Sequence, residues 1–170
     1  MIEKKVPEIR VRRTRPSDIG RVADFLNRAL RRGQPVSPES VLTYLGRAGL
    51  LLAEADGEVV GLLGWQAENF VARVTDFLVF PATFRLRAGQ ALLSMVEDTA
   101  RELQCEAVVL LMPLNVSSEV IAFWRGFGYS QRQITSLPRP WQEAARGARA
   151  RDEDQVLMKQ LRQDRVLRPL

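Results

Sequence analysis

Hydrophobic and polar positions recur with a readable period over most of the chain. Ile9 and Val11 alternate with polar neighbours across residues 8–15, the period-two pattern of a strand. Ile19, Val22, Ala23, Leu26, Ala29 and Leu30 then return at helical spacing. Pro16-Ser17-Asp18 opens that helix, with Ser17 as the expected N-cap and Asp18 suited to the positive end of the dipole. Residues 33–36 break it. Ser37-Pro38-Glu39 starts a second helix, with Ser37 as N-cap and Pro38 at the first helical position, ending near Gly46 or Gly49. Residues 50–55 and 58–66 read as strands joined by the hairpin dipeptide Asp56-Gly57. A further extended run, 73–80, stops at Pro81.

After a short basic turn, a helix is expected from about Gly89 to Leu103. It would bury Leu92, Met95, Val96, Thr99, Ala100 and Leu103 and leave Glu97, Asp98, Arg101 and Glu102 in water. Residues 106–112 form the apolar, β-branched run of a strand covered on both faces. Ser117 or Ser118 caps a short helix through Trp124, closed by Gly126 and Gly128. Residues 129–135 and 154–161 read as strands, 137–151 as a long loop or short helix, and 162–170 as a frayed tail. The order β-α-α-β-β-β-α-β-α-β-β predicts an α/β (α+β) fold: a mixed, mostly antiparallel sheet of about six to seven strands with helices on both faces. No linker or repeat interrupts it, so 1–170 reads as one domain with a core of about 8–161.

Composition narrows the chemistry. The 170 residues hold one cysteine, Cys105, and no histidine. An internal disulfide is impossible, a metal site is not expected, and every Ser-His-Asp or Cys-His scheme is excluded. Proton transfer must use carboxylates, Tyr, Lys, Cys, main chain or water. The basic N-terminus has no apolar run behind it and no stretch approaches the ~20 residues of a membrane span, so a cytoplasmic protein is expected, without signal peptide or membrane partner. The net charge of +5 is uneven: residues 1–36 carry +6, 37–84 carry −4, and 139–170 carry +3. The ends are basic and the middle acidic, and solvated surface arginines explain the balance better than nucleic acid.

One stretch concentrates chemistry: Asp76-Phe-Leu-Val-Phe-Pro-Ala-Thr-Phe-Arg-Leu-Arg-Ala-Gly-Gln-Ala-Leu-Leu93. It reads strand, Pro, basic turn, Gly, helix. Such a turn gathers free amides at the positive end of a helix, where phosphate binds, with Arg85 and Arg87 as charged donors and Gly89 permitting close approach. No GxxxxGK[ST] and no GxGxxG is present. The stretch resembles the acyl-CoA motif of the GNAT acetyltransferase superfamily, a strand ending Val-x-Pro followed by (Gln/Arg)-x-x-Gly-x-(Gly/Ala). Here it stands as Val79-Phe80-Pro81 and Leu86-Arg87-Ala88-Gly89-Gln90-Ala91. The run from Val120 to Tyr129 is similar to the family's second block, and residues 154–161 to its last strand. The resemblance covers about 8–161.

The resemblance implies acetyl-CoA as co-substrate and an amine as acceptor. The turn from Arg85 to Ala91 would hold the diphosphate. The edge of Leu78, Val79 and Phe80 would pair with the pantetheine amides, and the splay from the strand over 108–112 would admit the thioester. The Val79 amide would be the oxyanion donor. Asn115, Ser117 and Arg125 complete the implied cofactor set. Three positions depart from the family pattern: Leu86 stands for Gln or Arg, Ser117 for a frequent capping Asn, and Trp124 for the tyrosine that protonates the leaving thiolate in many members. Trp124 is therefore either a catalytic neighbour or a core aromatic, and Ser118 or water would relay the proton.

An amine of pKa near 10 must lose a proton before attack. Asp76, on the strand that reaches the turn, is the first candidate base, and Glu68 the second. The plain alternative pairs Asp76 with Arg73 or Arg125 and leaves Glu68 solvated. Trp65, Phe70 and Tyr44 are candidates for an acceptor pocket or for core, and Cys105 for a small buried hydrophobe. The expected function is an N-acetyltransferase working in a ternary complex. Its rivals are a weakly active or inactive CoA-binding sensor or interaction module and, from the basic ends, a nucleic-acid binder. The 137–151 segment is long enough to serve a homodimer.

Overall fold

The structure, a computed structural model, describes residues 5–31, 33–45, 49–112, 116–146 and 155–163, with only the backbone of 44 and 45. Strands β1 (Ile9–Arg13), β2 (Gly49–Ala55), β3 (Glu58–Glu68), β4 (Val71–Val79), β5 (Ala107–Met112), β6 (Ser130–Gln133) and β7 (Gln155–Gln160) form a sheet in the order β1-β2-β3-β4-β5-β7-β6. The helices are α1 (Ile19–Leu30), α2 (Pro38–Leu45), α3 (Arg85–Glu102), α4 (Ser118–Gly126) and α5 (Arg139–Arg146). β1 with β2, β5 with β7 and β6 with β7 run antiparallel, and β4 with β5 parallel. The mixed sheet is the one the pattern predicts, and so is the element order, except that α5 stands between β6 and β7. The chain divides into two units, Met1–Gly64 with Asp76–Met95, and Trp65–Thr75 with Val96–Leu170.

In the first unit, both faces of β2 are covered, as its near-continuous apolar run requires. Leu50 and Leu52 pack with Val22, Ala23 and Phe25 of α1, Val41 of α2, and Val59 and Leu62 of β3. Ala53 points the other way, beside Gly61 and Leu92 of α3. A Cβ on Gly61 would stand 3.0 Å from Leu92 Cδ1 and 3.4 Å from Leu78 O, so the small residue lets α3 sit close. Asp56-Gly57 turns with φ of 50° and 80°, the left-handed pair a two-residue hairpin needs.

The helix start at Pro16 corrects the expected cap. Residues Pro16–Asp18 form a 3₁₀ turn, and the Asp18 carboxylate, not Ser17, accepts from the Arg15 amide at 2.8 Å. The Arg12 guanidinium forks onto both Asp18 oxygens at 2.7 and 2.8 Å and reaches Glu54 at 2.7 Å. Asp18 is only 4% exposed, and this pairing holds its carboxyl far below the usual range. α2 begins as expected, with the Ser37 hydroxyl accepting from the Ser40 amide.

In the second unit, α5 gives the 137–151 segment a role that its sequence left open. Trp141, Ala144 and Ala145 pack into a core with Val71, Ala107, Val109, Ile134, Leu137, Val156 and Met158. The Trp141 indole N–H donates to Glu106 at 3.2 Å. The apolar face of this helix is thus spent inside the chain, and residues 147–151 of the segment lie outside the described residues. Residues 164–170 of the expected tail lie outside the described residues.

Glu97 overturns the expected solvent face of α3. It is 7% exposed, accepts from the Tyr129 hydroxyl at 3.0 Å, and takes the Lys159 ammonium on both oxygens at 3.1 Å. Met95 and Leu103, expected inside, are exposed, while Leu93 is buried. The buried stripe is therefore rotated toward Leu92, Leu93, Val96 and Ala100. Gly128, with φ of 90°, passes the chain beneath Lys159, whose Cε would lie 3.3 Å from an added Cβ.

Candidate active site

The end of β4 presents one amide outward for a simple geometric reason. The Phe80 N–H donates to Val60 O of β3 at 2.9 Å, and Leu78 O also lies on the β3 side, close to Gly61. Backbone groups alternate along a strand, so the N–H and C=O of Val79 turn to the opposite edge. Of the three residues expected to offer that edge, Val79 alone does so. The parallel register with β5 runs from Val71–Ala107 to Val74–Leu110, whereas β4 continues to Val79.

α3 starts at Arg85, four residues before the predicted Gly89, after a 3₁₀ turn at Ala82–Phe84. The sequence shows a glycine and no capping residue there, and the glycine was read as the start. The Phe84 amide bonds Pro81 O and the Arg85 amide bonds Ala82 O. The expected cradle from Arg85 to Ala91 is thereby narrowed, since a helix leaves only its first amides outside its own ladder. Those that follow belong to Leu86 and Arg87, and the Ala88 amide enters the ladder. Leu86 is 67% exposed and Arg85 and Gln90 are exposed, while Ala88 and Gly89 are buried and Ala91 is half-buried. The Arg87 guanidinium donates to Pro7 O, tying the segment before β1 to the first turn of α3.

Asp76 lines a cavity of about 350 Å³ with Val22, Leu26, Leu30, Val36, Ser40, Val41, Leu50, Leu62, Phe77 and Leu78. The wall is apolar apart from Ser40 and Asp76. Leu78 and Phe80 pack against the same α1–α2 cluster. No ion pair with a described residue engages the Asp76 carboxylate, so the expected alternative pairing with Arg73 or Arg125 does not form. Asp76 itself is exposed, and its partial desolvation against this wall raises its pKa. The loop closing the cavity is pinned by Asn27, whose side chain accepts from the Val36 amide at 2.6 Å and donates to Val36 O at 3.3 Å.

The cavity wall is what the sequence reading missed. Leu26 and Leu30 belong to the α1 stripe, yet they are only half-buried and line the cavity. The available signal was an apolar stripe running to the last residue of α1, with a second helix starting a few residues on.

Glu68 lies in the other unit and is half exposed, 3.6 Å from Arg73, so it is paired and not simply solvated. Arg73 also donates to Gln66 at 2.7 Å and to Ala144 O at 2.9 Å. Ser117 caps α4, its hydroxyl accepting from the Val120 amide at 3.3 Å, and Ser118 is exposed beside it. Trp124 is 4% exposed, edge-on to Tyr129 at 5.1 Å between ring centres. Burial and the neighbouring Glu97 push the Tyr129 phenol far up. Arg125 is exposed, beside a polar groove shared with Gln131 and Gln133. Asn115 and the Tyr44 side chain lie outside the described residues. Phe70 sits on the β3–β4 turn, Trp65 is buried, and Cys105 is a buried free thiol, as expected.

Among the described residues no cluster of His, Cys, Asp or Glu could hold a metal ion, and no helix is long and apolar enough to cross a membrane. No curated protein matches the sequence. Solved structures do resemble it. The ribosomal-protein-S18-alanine N-acetyltransferase of Escherichia coli aligns at 15% identity over 91% of this chain and 94% of its own, with a TM-score of 0.63. The PaiA N-acetyltransferase of Thermoplasma acidophilum, in complex with coenzyme A, aligns at 14% identity over 90% and 99%, with a TM-score of 0.66. YncA of Salmonella typhimurium, with its cofactor acetyl-CoA, aligns at 16% identity over 96% and 99%, with a TM-score of 0.64. These likenesses carry the fold. Residues 20–129 match the sequence profile of the acetyltransferase (GNAT) family, a span holding α1, α2, the β4 tail, the first turn of α3, and α4. The chain belongs to the GNAT family of acetyltransferases.

Proposed function

We propose that the protein moves the acetyl group of acetyl-CoA directly to an amine in a ternary complex, with Asp76 as the base. The observation that carries this reading is a carboxylate on an apolar cavity, in no ion pair with a described residue, three residues before the outward-facing Val79 amide at the end of β4. The cofactor diphosphate is assigned to the amides of Leu86 and Arg87, with Arg85 as the charged donor, and the acetyl carbonyl to the Val79 N–H. Ala88, Gly89, Gln90 and Ala91, inside the α3 ladder, and Asn115, Ser117 and Arg125 keep their cofactor assignment on resemblance to the family.

The step balances as follows. Asp76 takes one proton from the bound ammonium, and the freed nitrogen lone pair attacks the thioester carbon. The C–N bond forms, the carbonyl electrons pass to the oxygen facing Val79 N–H, and their return breaks the C–S bond. The second nitrogen proton reaches the leaving sulfur through water, giving amide and thiol, and Asp76 returns its proton to solvent.

Calorimetric titration of acetyl-CoA, followed by thiol release on adding amines, tests this reading. Wild type should bind and turn over, whereas Asp76→Asn should bind equally and lose 10²–10⁴-fold in rate. Turnover unchanged in Asp76→Asn would remove the base assignment.

A second reading, CoA binding without turnover, is favoured by one observation. Trp124 replaces the family's acid, and the Tyr129 phenol is already committed to Glu97. Binding without thiol release on any amine would establish that reading.

A further inference from the structure

We propose that the acceptor is a small monoamine with an apolar body, of the alkylamine or arylalkylamine class, seated in the cavity between α1, α2 and β4 with its ammonium at Asp76. This rests on the acetyl-transfer reading above and names the substrate class of the same site.

The lining residues carry one charged group, Asp76. One carboxylate matches one ammonium. A polyamine would bury further cations against Leu26, Leu30 and Val36 with no counter-charge, at a desolvation cost no apolar wall repays. An α-amino acid would place its carboxylate beside Asp76, and among the described residues no lysine or arginine lines the cavity to receive it. Of the described lining residues nine are apolar and Ser40 alone carries a hydroxyl, so a sugar would leave most of its hydroxyls without partners. A volume of about 350 Å³ holds roughly a dozen non-hydrogen atoms at ~30 Å³ each. The side-chain grip of Asn27 on both polar groups of Val36 keeps the wall formed before a ligand arrives.

The test uses n-alkylamines from butyl to octyl, phenethylamine, phenylalanine and spermidine. Two readouts are taken: kcat/KM for thiol release, and calorimetric affinity of each amine for the protein saturated with CoA. Each added methylene should raise both quantities about fourfold. Phenethylamine should exceed phenylalanine and spermidine by at least ~100-fold. Leu30→Trp, which fills the cavity, should flatten the dependence on chain length while acetyl-CoA affinity stays at the wild-type value, the control for folding. A flat dependence in wild type, or preference for spermidine or phenylalanine, overturns the assignment. If amine affinity rises with chain length and no amine releases thiol, the acetyl-transfer reading falls and the apolar amine site stands.

Discussion

At Asp76 the cost of charge is set by the wall around it, and that cost is what makes a carboxylate useful to an amine. Desolvation raises its pKa, narrowing the gap to an alkylammonium and easing proton transfer. A base acts in its ionised form. Activity should therefore fall as pH drops through this raised value, with the acidic limb of kcat/KM above the ordinary carboxylate range near 4. In Asp76→Asn that limb should vanish, a result read from the pH profile of thiol release. Asp18 has the opposite shift. Its folded pKa is depressed by Arg12, so its contribution to stability is full above the unfolded value near 3.9 and is lost as pH falls through the folded one. Asp18→Asn should cost about 2 kcal/mol at pH 7 and much less at pH 2, measured by urea unfolding.

At the scale of elements, the site is a strand end and a helix start held at fixed spacing. Gly61 sets part of that spacing. Gly61→Val should drive branched methyls into Leu92 and cost about 1–3 kcal/mol, read as a lower unfolding midpoint with unchanged m-value. In the other unit, Lys159→Met should leave Glu97 buried without its cation and cost about 2 kcal/mol, more than Tyr129→Phe at about 1 kcal/mol, since Lys159 would still pair. These elements also mark how far sequence reading reached. The strands, α1, α2 and α4 announced themselves through periodicity and caps, and Asp76 through its place on the strand that reaches the basic turn. The start of α3 did not, because Arg85-Leu86-Arg87 lacks a cap and Gly89 imitated one. The burial of Glu97 depends on Lys159, far along the chain, and no local pattern encodes it. The turn at Asn69-Phe70 escaped because an aromatic residue at φ of 62° is not turn chemistry.

At the scale of the molecule, the excess of arginine invites a nucleic-acid reading that its pairing weakens. Arg12 and Arg21, in the most basic segment, are engaged by Asp18 and Glu54, and Arg87 holds Pro7 O. Duplex DNA titrated by fluorescence anisotropy at 0.15 M salt should show no saturable binding, and any weak binding at low salt should weaken steeply as salt rises. On the proposed reading, anion recognition instead lies in the main chain after β4. Titration of coenzyme A into ¹⁵N-labelled protein, followed by amide chemical shifts, tests this most directly. The Val79, Leu86 and Arg87 amides should shift together and saturate at one equivalent. Saturation with those three unmoved would contradict that reading.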